Sequence, residues 1–238
     1  MRKYSLNENY FDDLSSEDKI YFLGFLMADG YNSETRGVIE ISCSEKDKDF
    51  LQELNLLIGS NKPLRFVRCK KDTSYRVEFC SRRLSETLSK LGCVQAKTFK
   101  LKFPAYLVND DMIRHFIRGY FDGDGCISCT HAKRKNIFGN SFLSVVTITS
   151  TDDFCQYIKD YIMDGLNITS NISCRHPSHN NNNRTLCISG NKQVIKFCEW
   201  MYKDSNLFLK RKYEKLLYIK EEIQKRDSIV HEIRSKKW

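Results

Sequence analysis

The sequence has no apolar stretch long enough to cross a membrane. A membrane-spanning helix needs roughly 20 consecutive apolar residues, and the longest run here, residues 20–28, is far shorter. The N-terminus opens Met-Arg-Lys-Tyr-Ser and then turns acidic, so it lacks the apolar segment of a secretory signal peptide. We therefore expect a protein that is neither embedded in a membrane nor secreted.

A structural zinc site is also disfavoured, although cysteine is plentiful. Cys126-x-x-Cys129 has His131 nearby, but no second pair of Cys or His residues follows at zinc spacing. Ten cysteines without secretory features are typical of buried or reduced thiols in a cytosol-like compartment. We expect a cytoplasmic (bacterial or phage) or organellar protein.

The positive charge is unevenly distributed, and its position points to a polyanion as partner. Residues 1–59 carry 6 basic and 12 acidic side chains, whereas residues 60–102 carry 12 basic and 3 acidic ones. Aromatic and aliphatic residues are interleaved with this basic stretch, as in a folded surface and unlike a disordered tail. An ordinary solvated surface is the alternative interpretation.

Two copies of one segment organise the chain. Residues 22–30 and 117–125 are both apolar runs that end in a small residue, Asp and Gly. Each copy also has glycine four residues before the small residue, giving Gly24-x-x-x-Ala28 and Gly119-x-x-x-Gly123. On a helix this spacing leaves a face with almost no side chains, so two such helices can pack main chain to main chain. The aspartates that follow, Asp29 and Asp124, would then emerge side by side, and such a carboxylate pair can hold Mg²⁺.

Both segments resemble the LAGLIDADG motif of homing endonucleases, and two copies in one chain resemble the single-chain, pseudo-symmetric members. The resemblance extends over most of the chain, from about residue 21 to about residue 218. It implies that Asp29 and Asp124 are the metal-binding acids of two active sites, with Ala28 and Gly123 in the same metal site. It also implies a lysine just after the third helix of each repeat. The matching residues are Lys97 and Lys212, although neighbouring lysines leave their alignment open.

The pattern of the whole chain predicts an α+β fold made of a duplicated αββαββα unit. We predict an N-terminal repeat at 1–98, a linker at 99–110 and a C-terminal repeat with a basic C-terminal helix at 111–238. The motif helices are predicted to end at Asp29-Gly30 and near residue 121. Capping signals at Ser44-x-x-Asp47 and Ser150-x-x-Asp153 open the second helix of each repeat, and residues 93–107 should be extended. By the resemblance, the two antiparallel sheets form a DNA-binding saddle.

A cationic hairpin in the first repeat is the strongest candidate for DNA contact. Its second strand should turn Tyr75, Val77 and Phe79 to one side and Arg76 and Glu78 to the other. A two-stranded ribbon with a basic face fits the major groove of DNA. The predicted DNA-binding residues of both repeats are Arg65, Arg68, Lys70, Lys71, Arg76, Arg82, Lys133, Arg134, Arg175 and Arg184.

The resemblance therefore predicts a site-specific endonuclease that cuts both strands of a long, non-palindromic double-stranded DNA with Mg²⁺. We expect a monomer, because both halves lie in one chain. The sequence starts at Met1 without the Cys or Ser start and the His-Asn end that inteins use, which favours a free-standing or intron-encoded protein. Two alternatives stay open on the same scaffold. One is an RNA maturase that assists intron splicing; the other is a non-catalytic DNA-binding regulator.

Overall fold

The protein is described from a computed structural model that covers residues 3–68, 73–95, 97–133, 140–174 and 182–235. The chain forms two compact units. The first runs as far as Asp124 and also includes Asp204–Leu209; the second consists of Gly125–Lys203 and the chain from Lys210 onward. Both motif helices therefore lie in the first unit. In the described part of the chain, no helix is both long and apolar enough to span a bilayer.

The first unit contains one four-stranded antiparallel sheet with the strand order β1-β2-β4-β3. Its helices are α1 (Glu17–Asp29), α2 (Lys48–Leu57), α3 (Arg82–Lys90), α4 (Lys97–Lys100) and α5 (Asp110–Asp124), with a short 3-10 turn at Glu45–Asp47. Its strands are β1 (Tyr31–Ser33), β2 (Val38–Ser44), β3 (Arg65–Arg68) and β4 (Thr73–Cys80). Helix α1 is buried on all sides between residues 20 and 28, which explains why its sequence is apolar without a polar stripe.

The second unit repeats the plan with a second four-stranded antiparallel sheet, of order β5-β6-β8-β7. Its strands are β5 (Gly125–Lys133), β6 (Asn140–Thr151), β7 (Asn171–Ser173) and β8 (Asn183–Ser189). Its helices are α6 (Asp152–Leu166), α7 (Asn191–Tyr202) and the long basic α8 (Lys210–Ser235). The predicted α+β fold with a duplicated αββαββα order is confirmed.

The sheets alternate between buried and accessible residues as predicted. In β4, Val77 and Phe79 are buried, whereas Arg76 and Glu78 lie on the opposite, partly accessible face. In β6, Val146 and Ile148 are fully buried, and Thr147 between them is partly accessible. Each sheet therefore covers the hydrophobic core with one face and leaves the other to solvent.

Three local predictions were wrong, and one short strand was not predicted. Helix α5 continues to Asp124 instead of ending near residue 121. Residues 93–107 are not extended throughout, because they include α4. The cap of α6 is Thr151, whose hydroxyl accepts a hydrogen bond from Phe154 N–H at 3.3 Å, and not Ser150. Strand β1 was not predicted, since three residues are too few for an alternating pattern to be recognised.

Candidate active site

The two motif helices of the first unit, α1 and α5, pack through their glycines. A Cβ atom on Gly24 would overlap the main-chain oxygen of Phe116. A Cβ on Gly119 would overlap the main-chain oxygen of Tyr21. Helices can approach this closely only where no side chain intervenes. The predicted face of small residues is confirmed, and it fixes where the ends of the two helices lie.

The same packing brings the motif aspartates close together. Asp29 is the last residue of α1, Asp124 is the last residue of α5, and both side chains are exposed. A Cβ on Gly123 would overlap Ala28 Cβ and stand 3.4 Å from Asp29 Cγ. The carboxyl group of Asp29 therefore lies against the residue that precedes Asp124. Two carboxylates from two helix ends meet at one accessible edge of the first unit.

Lys97, which lies outside the two helices, forms hydrogen bonds to the main chain at this edge. Its Nζ donates hydrogen bonds to the main-chain oxygens of Leu26 at 3.3 Å, Gly30 at 2.6 Å and Ala28. Burial lowers the pKa of the Lys97 ammonium, and nearby Cys93, Asp124 and Asp29 act against that shift. Both motif aspartates are thus within electrostatic reach of the Lys97 charge.

Lys212, in the second unit, has the corresponding partner. It is only 4% exposed, and its Nζ donates a hydrogen bond to the main-chain oxygen of Gly125 at 2.6 Å. Gly125 follows Asp124 in the sequence, just as Gly30 follows Asp29. Each predicted lysine therefore bonds to the carbonyl directly after the motif aspartate of its own repeat. Neither distance tests a catalytic role, which stays a prediction.

The donor set suits a hard divalent cation such as Mg²⁺. Carboxylate and carbonyl oxygens are its usual protein ligands, and the absence of a side chain at Gly123 lets the Asp29 carboxyl group lie against the end of α5. One predicted ligand is already engaged, because the Ala28 carbonyl accepts a hydrogen bond from Lys97. Among the described residues, no cluster of three or more His, Cys, Asp or Glu side chains could hold a metal, so the site depends on two acids and main-chain oxygens.

A buried ion pair that the sequence did not suggest lies further back between the same helices. Arg118 is completely buried, and its guanidinium donates to Glu17 Oε1 at 2.6 Å and to the Leu207 carbonyl at 3.0 Å. It also donates to His115 Nδ1 at 2.6 Å. Burial, together with the neighbouring arginines, lowers the pKa of His115 to about 4. The available signal was a pair of polar residues at i, i+3 inside an otherwise apolar helix.

Asp122 is the second residue that sequence reasoning underestimated. Its side chain is 1% exposed, and Oδ2 accepts hydrogen bonds from Tyr21 Oη at 2.6 Å and from Leu209 N at 2.7 Å. It therefore faces away from the accessible edge and ties Asp204–Leu209 to the motif helices within the first unit. Asp122 is therefore a buried structural carboxylate.

The predicted DNA-binding residues fall into three groups. Arg65 and Arg76 are opposite each other in the register of β3 and β4, on the face of the first sheet turned away from the core. Three others are placed differently. Arg68 is opposite Thr73 on the other face of the first sheet. Arg82 begins α3 beside a cleft, and Arg184 forms an ion pair with Asp152 at 3.1 Å. Lys133 is described only by its main chain at the end of β5, and the remaining members lie outside the described residues: Lys70, Lys71, Arg134 and Arg175.

The positions of the two cysteines in β5 do not support a zinc site. Cys126 and Cys129 are separated by three positions on one strand, β5, and therefore lie on opposite faces of it. Cys126 is exposed and Cys129 is partly buried.

With this geometry established, comparison with known proteins identifies the fold. Residues 111–201, which include the second motif, match the family model of the LAGLIDADG-like domain. The I-LtrWI LAGLIDADG homing endonuclease bound to target DNA has a similar structure, with a TM-score of 0.60 and 14% identity, over 92% of this chain and 95% of that one. The I-SmaMI LAGLIDADG homing endonuclease bound to cleaved DNA is similar at a TM-score of 0.57 and 15% identity, over 91% and 94% of the two chains. The chain thus has the LAGLIDADG fold in two halves, and its resemblance to that family is confirmed.

Two further similarities limit the conclusions about activity that can be drawn from the fold. Full-length DUF199/WhiA from Thermotoga maritima matches with a TM-score of 0.53 and 18% identity, over 97% of this chain and 70% of that one. The replication factor C small subunit of Methanocaldococcus jannaschii is 27% identical over 113 residues, which are 47% of this chain and 6% of that relative. The matched region spans a very small part of that relative, so the match says nothing about replication. At these identities the solved structures establish the fold and not the reaction.

Proposed function

We propose that the protein is a site-specific homing endonuclease that cleaves both strands of a long, non-palindromic double-stranded DNA in a Mg²⁺-dependent hydrolysis. The observation that supports this most directly is the meeting of Asp29 and Asp124 at one accessible edge, with the Lys97 charge within reach of both. An accessible pair of acids next to a partly buried cation is an arrangement suited to phosphodiester chemistry.

In this proposal Asp29 and Asp124 hold Mg²⁺, together with the main-chain oxygens of Ala28 and Gly123. When bound, Mg²⁺ supplies Lewis-acid activation of a phosphate oxygen and lowers the pKa of bound water. The contribution of the chain is preorganisation. The glycine faces fix the distance between the two helix ends, so the carboxylates need no rearrangement to act together.

The two lysines supply positive charge that the last turns of α1 and α5 do not contain. Neither α1 nor α5 has a basic residue in its last turn. Lys97 bonds to carbonyls on both sides of Asp29, so it holds the main chain that carries the acid and offsets the repulsion between the two carboxylates. We assign Lys212 the equivalent role of holding the main chain in its own repeat, because it bonds to the Gly125 carbonyl within the second unit. When a phosphate is bound, both charges favour the extra negative charge of the transition state.

The substrate assignment depends on the two accessible sheet faces. Arg65 and Arg76 place two guanidinium groups on the accessible face of the first sheet, and a ribbon of this kind can enter a major groove. Because the second sheet presents different residues, the two halves of the target need not be related by symmetry. A single chain that carries both halves would act as a monomer, in a reducing cytoplasmic or organellar compartment where such DNA is available.

The test begins with the wild-type protein, a library of randomised DNA duplexes and Mg²⁺, followed by sequencing of cut ends. Asp29→Asn and Asp124→Asn each remove one carboxylate at nearly constant volume. We expect each to reduce cleavage of the selected site by at least about 100-fold, the scale typical for losing one preorganised electrostatic group. Duplex binding in Ca²⁺ should persist or tighten, because a negative charge near phosphates is gone.

The matched control is Asp49→Asn, which removes an equally exposed carboxylate from the first turn of α2. It should cleave like wild type. If either motif variant cuts both strands at the wild-type rate in Mg²⁺, the two acids are not catalytic and the motif would have to be explained by packing alone.

A second candidate is a binding protein without nuclease activity, acting on DNA or on intron RNA. It is supported by the similarity to WhiA, whose name is not that of an endonuclease, and by the hydrogen bond between Lys97 and the Ala28 carbonyl. The same DNA library, used beside a library of structured RNA, distinguishes these functions. A protein that enriches a DNA sequence but yields no cut ends in Mg²⁺ or Mn²⁺ is a DNA-binding regulator, and preferential retention of structured RNA would indicate a maturase.

A further inference from the structure

The accessible face of the first sheet is charged, and its charges are arranged in an unfavourable way. Arg65 of β3 is directly opposite Arg76 of β4, and Glu40 of β2 is directly opposite Glu78 of β4. Like charges opposite each other destabilise a sheet. A diagonal ion pair between Arg76 and Glu40 at 3.0 Å relieves part of this repulsion, but Arg65 remains exposed beside a second guanidinium.

The accessible face of the second sheet carries no charged residue at any position that the structure describes in β5, β6, β7 and β8. Its central strand β6 presents Leu143, Val145, Thr147 and Thr149 to solvent, since the alternate residues face the core. The neighbours in register continue the pattern, with Ser128 opposite Val145 and Thr185 opposite Thr149. Hydroxyl and methyl groups, together with the thiols of Cys126 and Cys187 and the amides of Asn171 and Asn183, therefore cover the surface that corresponds to the arginine-bearing surface of the first sheet.

These two surfaces discriminate between bases by different chemistry. In the major groove, arginine reads guanine through O6 and N7, and glutamate accepts from the cytosine amino group. Serine and threonine hydroxyls bond to any base edge, so they discriminate weakly, whereas methyl groups contact the thymine methyl. The Thr, Val and Leu residues of this face can therefore select thymine, and its asparagines suit the adenine of the same A·T pair, whereas none of its described side chains is suited to bidentate contact with guanine.

We propose that the two sheets read the two halves of the target differently: the first sheet selects G·C pairs through Arg65 and Arg76, and the second selects thymine methyl groups through Leu143, Val145 and the threonines of β6. This rests on the proposed function, because it takes double-stranded DNA as the substrate of both faces. It adds the composition of each half-site and the residues that determine it. The half-site of the second sheet is consequently T-rich and more tolerant of substitution.

The first experiment is selection of bound duplexes from a randomised library with the wild-type protein in Ca²⁺. We expect one long site with strictly required G·C pairs in one half and preferred thymines in the other. The double variant Arg65→Ala/Arg76→Ala should relax the G·C positions alone. The double variant Leu143→Ser/Val145→Ser should relax the thymine positions alone. Val108→Ser is the matched control, since it also replaces an exposed aliphatic side chain by serine but lies outside both sheets, and it should leave both sets of positions unchanged.

The second experiment needs no protein variant and so does not depend on how any variant folds. Replacing single thymines of the selected site by deoxyuridine removes one methyl group. In the T-rich half, each contacted thymine should weaken wild-type binding about fourfold, the change that corresponds to about 0.8 kcal/mol for one buried methyl-sized group. Replacement in the other half should leave affinity unchanged.

The outcomes separate this inference from the proposal beneath it. A wild-type protein that enriches no duplex sequence would overturn both. An enriched long site with equally strict G·C pairs in both halves would overturn the inference and leave the endonuclease proposal standing. So would deoxyuridine that is tolerated throughout, or β6 variants that relax the same positions as the arginine variants.

Discussion

The substitution Gly119→Ala tests whether main-chain contact between α1 and α5 holds the first unit together. The added Cβ would overlap the Tyr21 carbonyl oxygen, and it would lie 2.8 Å from the Tyr21 carbonyl carbon and 3.0 Å from Phe25 N. All three atoms belong to the main chain of α1, a helix that is buried on all sides and cannot shift without disturbing the core. The helices would have to separate, although only one methyl group was added.

Overpacking of this kind costs about 1–3 kcal/mol and occasionally more. For a chain of this size each kcal/mol lowers the melting temperature by roughly 2–4 °C, so we expect Gly119→Ala to melt about 3–10 °C below wild type. The assay is thermal unfolding followed by circular dichroism. Gly165→Ala in α6 is the matched control, because nothing lies within 4 Å of the new Cβ. It should gain about 0.5–1 kcal/mol from helix propensity.

A compensating pair of substitutions tests the same helix contact next to the motif aspartates. A Cβ on Gly123 would overlap Ala28 Cβ, a side-chain atom, so Gly123→Ala should be partly rescued by Ala28→Gly. No second substitution can compensate for Gly119→Ala, because the atoms that its Cβ would overlap belong to the main chain. If Gly119→Ala melts like wild type, or if the Gly123→Ala protein gains nothing from Ala28→Gly, these helices do not meet as described and the placement of the acids loses its basis.

Two buried titratable groups give the remaining predictions. Burial lowers the pKa of His115 to about 4, so between that value and about 6.5 the unfolded chain binds the proton and the folded protein does not. The free energy of unfolding, measured by urea unfolding, should therefore fall as the pH falls through this window, by about 2 kcal/mol from pH 7 to pH 5. His115→Asn should lose this part of the pH dependence, and an unchanged pH dependence in that variant would contradict the prediction. Asp122→Ala leaves Tyr21 Oη and Leu209 N without their acceptor and should cost about 3 kcal/mol of unfolding free energy, with Tyr21→Phe, which removes one donor only, costing less. Equal losses for the two variants would count against a role for the Leu209 bond.

Much of the fold could be predicted because it is encoded locally and twice. The apolar run of α1 recurs in α5, and the alternation in β4 assigns Arg76 to one face and Val77 to the other before any contact is known. Duplication removes ambiguity, since an Asp-Gly pair that is usually a turn becomes informative when it closes both copies of a helix. The lysines after the third helices followed from the resemblance, and the structure places both beside equivalent carbonyls.

The parts that could not be predicted depend on distant residues. Arg118 would be a surface residue by composition, and it is buried only because Glu17 and the Leu207 carbonyl satisfy it. Asp122 and Asp124 differ by two positions, yet one faces the core and the other solvent. Helical spacing alone gives their angular separation, and only the position of α1 decides which side is buried. The uncharged face of the second sheet was not predicted, because the candidate DNA-binding residues were chosen by their positive charge.

The placement of Asp29 and Asp124 opposes the electrostatics of their own helices. A carboxylate at the C-terminal end of a helix interacts unfavourably with the helix dipole, by about 0.3–1 kcal/mol, and here two such ends bring like charges together. Lys97 compensates from outside α1 by bonding to its terminal carbonyls, since the last turn has no basic residue. Residues that lower stability and are nonetheless kept in both repeats are expected where activity requires them. Asp29→Asn should then unfold at a higher urea concentration than wild type while losing cleavage, whereas Asp49→Asn should not gain stability, because its carboxylate lies at the favourable end of α2. An Asp29→Asn protein that is less stable than wild type would mean that the carboxylate is part of the structural network, and the argument from electrostatic cost to function would fail.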